Sequence, residues 1–205
     1  MKLFLSSIRL PNEDERAKLF GDKSDLSVVI IPNAWDTYPE DRQKAEVADT
    51  VAQFKEIGFK TTVVDLVTSN SDVKESALKD NDFIWVMGGN TFHLNYRIQV
   101  EGFDKLLKKA LGNGLVYGGT SAGAVVATPT LHGAENVDEI PEKLPEVIWD
   151  GLRLVDFGIV PHWGMEKYDA ELQKMKQELT PHVPFVHTLT NDEAMTVIDG
   201  KVTTR

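Results

Sequence analysis

The chain has 205 residues, 41% of them hydrophobic, which suits one domain with a sizeable core. Its 32 acidic residues outnumber the 22 lysines and arginines, for a net charge of −10. That balance argues against nucleic acid or an anionic membrane as the main partner, and the lack of any cysteine excludes disulfides, thiolate metal sites and a cysteine nucleophile.

In chain order, "LFLSS" (3–7) reads as a short strand, followed by Arg9 and an acidic cluster in place of a signal-peptide core and cleavage site. "SVVIIPNA" (27–34) is a stronger, β-branched strand. Residues 42–57 carry Val47, Ala48, Val51 and Phe54 at helical spacing, and Gly58 stops that helix. "KTTVVDL" (60–66) and "DFIWVMGGN" (82–90) read as strands. Residues 97–111 form an apolar helical face, closed by Gly112 and Gly114. "LVYGG" (115–119) is the next strand. The stretch "HGAENVDEIPEKLPE" is polar and reads as a surface excursion. "LVDFGIVPHW" then resumes as a strand, 166–178 is helical, "FVHTLT" is a strand, and "AMTVIDGKVTT" is a hairpin turning at Asp199-Gly200. No apolar run approaches the ~18 residues of a membrane span. The alternation predicts one α/β domain over 1–205. We expect a three-layer sandwich: a mostly parallel central sheet, helices on both faces and a C-terminal antiparallel hairpin. A cytoplasmic protein is expected.

The stretch "VYGGTSAGAVVATPT" (116–130) places a serine among residues with almost no side chain. Gly119-Thr120-Ser121-Ala122-Gly123 fits G-x-S-x-G, the turn that throws a nucleophile clear of a sheet where strand and helix backbones nearly touch. The bland alternative is a tight turn in which Ser121 only caps a helix. A serine needs a base. Of the five histidines, His162 in "GIVPHW" and His93 after "GGNTF" are best placed, just beyond strand ends. His132, His182 and His187 read as structural or solvated. Gly88-Gly89-Asn90-Thr91 follows another strand. Its glycines would let amides approach an oxyanion, with Asn90 and Thr91 beside the substrate; otherwise it is an ordinary turn with Asn90 or Thr91 as cap.

With these pieces placed, the chain resembles the peptidase E family, serine peptidases on a class I glutamine-amidotransferase-like fold. The resemblance rests on "VMGGNTFHL" (86–94), "YGGTSAGAVVATPT" (117–130), "GIVPHW" (158–163) and "LTNDEAMTV" (189–197). It implies Ser121 as nucleophile and His162 as base. It also implies an oxyanion hole from Gly89 with neighbouring amides, those of Gly88 and Ala122. For a triad acid the chain offers Asp192, with Glu193 next; the excursion holds Glu135, Asn136 and Asp138 without a clean aspartate in register. A preference for an N-terminal aspartate needs a cation, for which Arg97, Arg153 and Lys167 compete.

The expected function is hydrolysis of a small peptide through an acyl-enzyme, with no metal and no organic cofactor. No nucleic-acid or membrane partner is expected, and a homodimer is compatible with the sequence. Alternatives on the same fold are a cyanophycinase-like or other amidase or esterase, and a non-catalytic small-molecule sensor. A glutaminase-like amidotransferase would normally use the cysteine this chain lacks.

Overall fold

A computed structural model describes residues 1–205. In chain order the elements are β1 (Lys2–Ser6), α1 (Glu13–Phe20), β2 (Ser27–Ile31), α2 (Glu40–Glu56), β3 (Lys60–Val63), α3 (Ser71–Asp80), β4 (Phe83–Val86) and α4 (Thr91–Val100). They continue with α5 (Phe103–Gly112), β5 (Val116–Thr120), α6 (Ala122–Val125), β6 (Gly158–Val160), α7 (Asp169–Leu179), β7 (Val186–Thr188), β8 (Ala194–Ile198) and β9 (Lys201–Thr204). Seven strands form one sheet in the order β3-β2-β4-β5-β1-β8-β9. The first five run parallel, and β8 and β9 close the sheet as an antiparallel hairpin.

Successive side chains of a strand point to opposite faces, and here both faces are apolar. Leu3, Leu5, Val29, Ile31, Ile84 and Val86 pack on one face with Leu94, Ile98, Phe103 and Leu107 from α4 and α5. Phe4, Val28, Ile30, Phe83 and Trp85 pack on the other with Leu19 of α1 and Phe54 of α2. Helices on both faces of a mostly parallel sheet make the three-layer α/β fold that the alternation predicts.

Three local readings differ. The helix expected over 97–111 is two helices, because Gly102 takes a left-handed conformation (φ 66°) and restarts the chain as α5. The strands "GIVPHW" and "FVHTLT" do not join the central sheet. They pair in parallel as a separate two-stranded ribbon, β6 with β7. The helices α1 and α3 are too short and too polar for periodicity to reveal. Their caps do reveal them: Asn12 and Glu15 form a reciprocal capping box, and the Asn70 side chain accepts from the Val73 amide.

What matters for function is the carboxyl edge of the parallel strands. Ser6 pairs with Thr120 and Val86 with Gly119, so β1, β4 and β5 end side by side. The chain leaving them supplies Ser7, Gly88-Gly89 and Ser121, the edge at which open α/β sheets gather ligands.

Candidate active site

Ser121 follows β5 directly. Its amide still bonds the Ser6 carbonyl at 2.9 Å, and Ala122 then opens α6. The turn forces Ser121 to φ 47°, ψ −112°, a conformation that costs a non-glycine residue on the order of 1–3 kcal/mol. The neighbours must be small: a Cβ on Gly123 would run into the Val86 carbonyl, and one on Gly119 into the Gly123 carbonyl. The buried Tyr117 hydroxyl donates to the Gly123 carbonyl at 2.6 Å and braces the turn from below. Burial pushes the Tyr117 phenol up, so it stays a donor.

His162 Nε2 lies 2.9 Å from Ser121 Oγ, which brings the two residues together as expected. His162 is itself at φ 60°, the second strained residue of the site. Ser7 holds it there. The buried Ser7 hydroxyl accepts from the His162 amide at 3.0 Å and donates to the Leu189 carbonyl at 2.9 Å, tying the β6 exit to the loop after β7. Sequence reading missed Ser7, because nothing in a strand-end serine announces a partner 155 residues away.

The other ring nitrogen gives a correction. His162 Nδ1 lies 2.8 Å from Asn191 Oδ1, not from Asp192. Asp192 is exposed, and its backbone carbonyl accepts from Arg9 Nε at 2.8 Å. Glu193 turns back to accept from the Thr190 amide at 2.8 Å, closing the turn that presents Asn191. Glu135 is exposed on the excursion. "LTNDEAM" carries four adjacent polar residues, and only the turn geometry decides which one faces the ring.

The remaining histidines lie elsewhere. His93 Nε2 is 3.0 Å from Asp36 Oδ2, with Arg97 Nε at 3.4 Å, so its ring serves that cluster. His132 stacks between Trp149 and His182. His187 packs edge-on against Phe157, and burial lowers its pKa.

Of the expected oxyanion donors, Gly88 is committed: its amide donates to the Thr120 hydroxyl at 3.1 Å. It is small because a Cβ there would press on the Ser121 Cβ. The Gly89 amide donates to no protein acceptor. Gly89 has φ 138°, and a Cβ would collide with the Ala34 carbonyl, so only glycine fits. As the first residue of α6, Ala122 has an amide with no acceptor within the helix. Asn90 and Thr91 are bound internally. The Asn90 side chain accepts from the His93 amide at 2.9 Å and donates to the Glu139 carbonyl at 2.7 Å. The Thr91 amide (3.0 Å) and hydroxyl both donate to Asp138 Oδ2. They cap α4 and pin the excursion over the site, which leaves Thr91 no free donor for a substrate.

Two cavities meet at Ser121 and His162. The wider, about 420 Å³, runs past Gly89, Trp35 and Met87 to Glu46 and Asp49 on α2. The smaller, about 240 Å³, is walled by Ala122 and Val125 of α6, Leu172 and Met175 of α7, and Ala134 and Asp138 of the excursion. Neither is lined by lysine or arginine. Arg97 lines a neighbouring cavity, Arg153 pairs with Asp150 at 2.6 Å on the surface, and Lys167 lies over the Tyr168 ring. No His, Cys, Asp and Glu cluster has the makings of a metal site.

A serine on a strained strand-to-helix turn, touching an imidazole across the carboxyl edge of a parallel sheet, defines the class: an α/β serine hydrolase. The family is settled by comparison with known proteins. The chain belongs to peptidase family S51, whose model matches residues 8–205, and it is a serine peptidase. An uncharacterized peptidase of Listeria innocua is 34% identical over 152 residues, 74% of this chain and 72% of the relative. An alpha-aspartyl dipeptidase candidate of Drosophila melanogaster is 31% identical over 169 residues, 78% of this chain and 65% of the relative. A crystal structure of a peptidase E candidate from Listeria monocytogenes superposes with a TM-score of 0.85 at 26% identity, covering 100% of this chain and 97% of that one. No helix is long and apolar enough to cross a membrane.

Proposed function

We propose that this peptidase releases the N-terminal residue of small peptides, dipeptides among them, through an acyl-enzyme on Ser121. Ser121 Oγ attacks the scissile carbonyl as its proton passes to His162 Nε2. The new oxyanion takes hydrogen bonds from the Gly89 and Ala122 amides. His162 returns the proton to the departing amine as the C–N bond breaks. A water, deprotonated by the same nitrogen, then cleaves the ester and restores Ser121. Asn191 Oδ1 can only accept, so it fixes the proton on Nδ1 and leaves Nε2 free to act as base.

The observation that carries this reading is the 2.9 Å contact between His162 Nε2 and Ser121 Oγ. The dipeptidase description of the Drosophila relative supports the small-peptide substrate. Ser121→Ala should lower kcat at least ~10³-fold with the fold intact, and His162→Ala about as much, with the double variant scarcely worse. A fluorophosphonate should label the wild type at Ser121. Failure to label, together with no Ser121-dependent hydrolysis of any peptide, overturns the mechanism and favours a non-catalytic sensor; unchanged turnover in Ser121→Ala overturns Ser121 as the nucleophile.

A further inference from the structure

The smaller cavity at Ser121 has a composition that selects a substrate. Its walls combine apolar side chains of α6 and α7 with Tyr38, Thr91 and Tyr168, and the one carboxylate among them is Asp138. Both hydrogen bonds that Asp138 accepts fall on Oδ2, from the amide and hydroxyl of Thr91. Its Oδ1 has no protein donor, yet it is not sealed from the cavity. No lysine or arginine lines the cavity to pair with this carboxylate, and the His162 ring is the one group there that can carry positive charge. The α-ammonium of an N-terminal residue lies two bonds from the carbonyl that Ser121 would attack, so a cavity touching both Ser121 and Asp138 can hold both groups at once. Beyond them, the space left is bounded by Val125, Ala134, Leu172 and Met175.

We propose that this cavity receives the N-terminal residue of the substrate, its ammonium on Asp138 Oδ1 and its apolar side chain against α6 and α7. The enzyme therefore cleaves after residues such as alanine, valine or leucine and discriminates against aspartate. This rests on the acyl-enzyme reading above. An aspartate side chain would lie beside a second carboxylate with no lysine or arginine to receive it, an unpaired burial that specificity pockets exploit to reject substrates. The wider cavity, open to solvent at α2, takes the leaving portion with little selection.

Burial pushes the Asp138 pKa up, against the Thr91 hydrogen bonds and the His162 charge that pull it down. The folded chain thus holds this proton more tightly than the unfolded one. That contribution to stability is complete below the unfolded aspartate's range, about pH 4, and is lost as pH rises through the folded value. Asp138→Asn has no such proton to lose, so the wild type's Tm should fall relative to that of Asp138→Asn as pH rises above about 4.

The test is a dipeptide library Xaa-Ala, with free and N-acetylated amino termini, assayed on the wild type, Asp138→Asn and Ser121→Ala. Fluorophosphonate labelling of each protein is read in parallel. Expected are kcat/KM values for Ala-, Val- and Leu-Ala on the order of 10²-fold above Asp-Ala, and loss of hydrolysis on acetylation. Asp138→Asn should lose on the order of 10²-fold in kcat/KM on free-amine substrates, while it still labels and its Tm at pH 7 is not lowered. A preference for Asp-Ala, indifference to acetylation, or no Ser121-dependent hydrolysis of any Xaa-Ala overturns the assignment. If labelling at Ser121 persists in those cases, the nucleophile reading stands and only the pocket reading falls.

Discussion

Asn191 shows how much a single side chain decides here. A carboxylate at His162 Nδ1 would orient the ring and also stabilise the imidazolium; an amide oxygen does only the first. Asn191→Ala should lower kcat about 10²-fold with little change in KM, since it frees the ring without touching the substrate. Asn191→Asp should match or exceed the wild type, because it keeps the acceptor and adds the charge. Asp192→Asn should do almost nothing, as that side chain is exposed. Steady-state kinetics of the three variants on one peptide would check this, and a large loss in Asp192→Asn would refute the assignment. Ser121 was legible in the sequence because it sits in a motif of its own, and the family resemblance then singled out His162, which the structure places beside it. Asn191 was not legible, since "TNDE" presents four neighbouring polar side chains to any one-dimensional reading, and a turn closed by Glu193 chooses among them.

At the level of the element, the elbow works because strand, turn and helix are pressed together. Tyr117 anchors the Gly123 carbonyl, and Gly123 itself has no room for a methyl group against Val86. Gly123→Ala should therefore move α6 and Ser121 with it, and we expect activity to fall at least ~10²-fold. Tyr117→Phe should be milder, a loss of about 1–3 kcal/mol from an unmade buried hydrogen bond, with the catalytic geometry largely kept. Activity assays and thermal melts on the pair would check this ordering. The reverse ordering in activity would mean that the turn is held by the hydroxyl and not by close packing. The glycines of this segment were readable from the sequence, since small residues around a serine have few other uses. The hydroxyl beneath them was hidden, because a tyrosine in an apolar strand reads only as core.

Across the whole molecule, the N- and C-terminal segments meet behind the site. Arg9 holds Glu15 with two bonds of 2.7 Å, and it also reaches the carbonyls of Asp192 and Arg205. Burial works against the ionised Glu15, but Arg9 and the Asn12 amide outweigh it, and its pKa falls below the ordinary value. A depressed carboxyl stabilises the fold above its unfolded range, about pH 4.3, and that support is lost as pH falls through the folded value. Arg9→Ala should lower the Tm at pH 7, and the deficit should shrink in acid, where the wild type loses the same support. It should also lower kcat several-fold by loosening the 190–193 turn, though Arg9 touches no reacting atom. Thermal melts from pH 3 to 7 alongside kinetics would check both, and unchanged kcat would separate this network from the site.

The sequence by itself determined the α/β alternation, the hairpin at Asp199-Gly200 and the small-residue turn that carries Ser121, and it narrowed the histidine beside that serine to His162 or His93. Each of these is written in a contiguous run whose spacing or smallness has a local physical cause. Only the tertiary structure decided which side chain orients His162, that Gly88, Asn90 and Thr91 are bound internally, and that Asp138 lines a cavity beside Ser121. Those facts depend on three strand ends, a separate two-stranded ribbon and a polar excursion meeting at one edge of the sheet. Hydrogen bonds between residues 29 to 182 positions apart leave no trace in any local pattern.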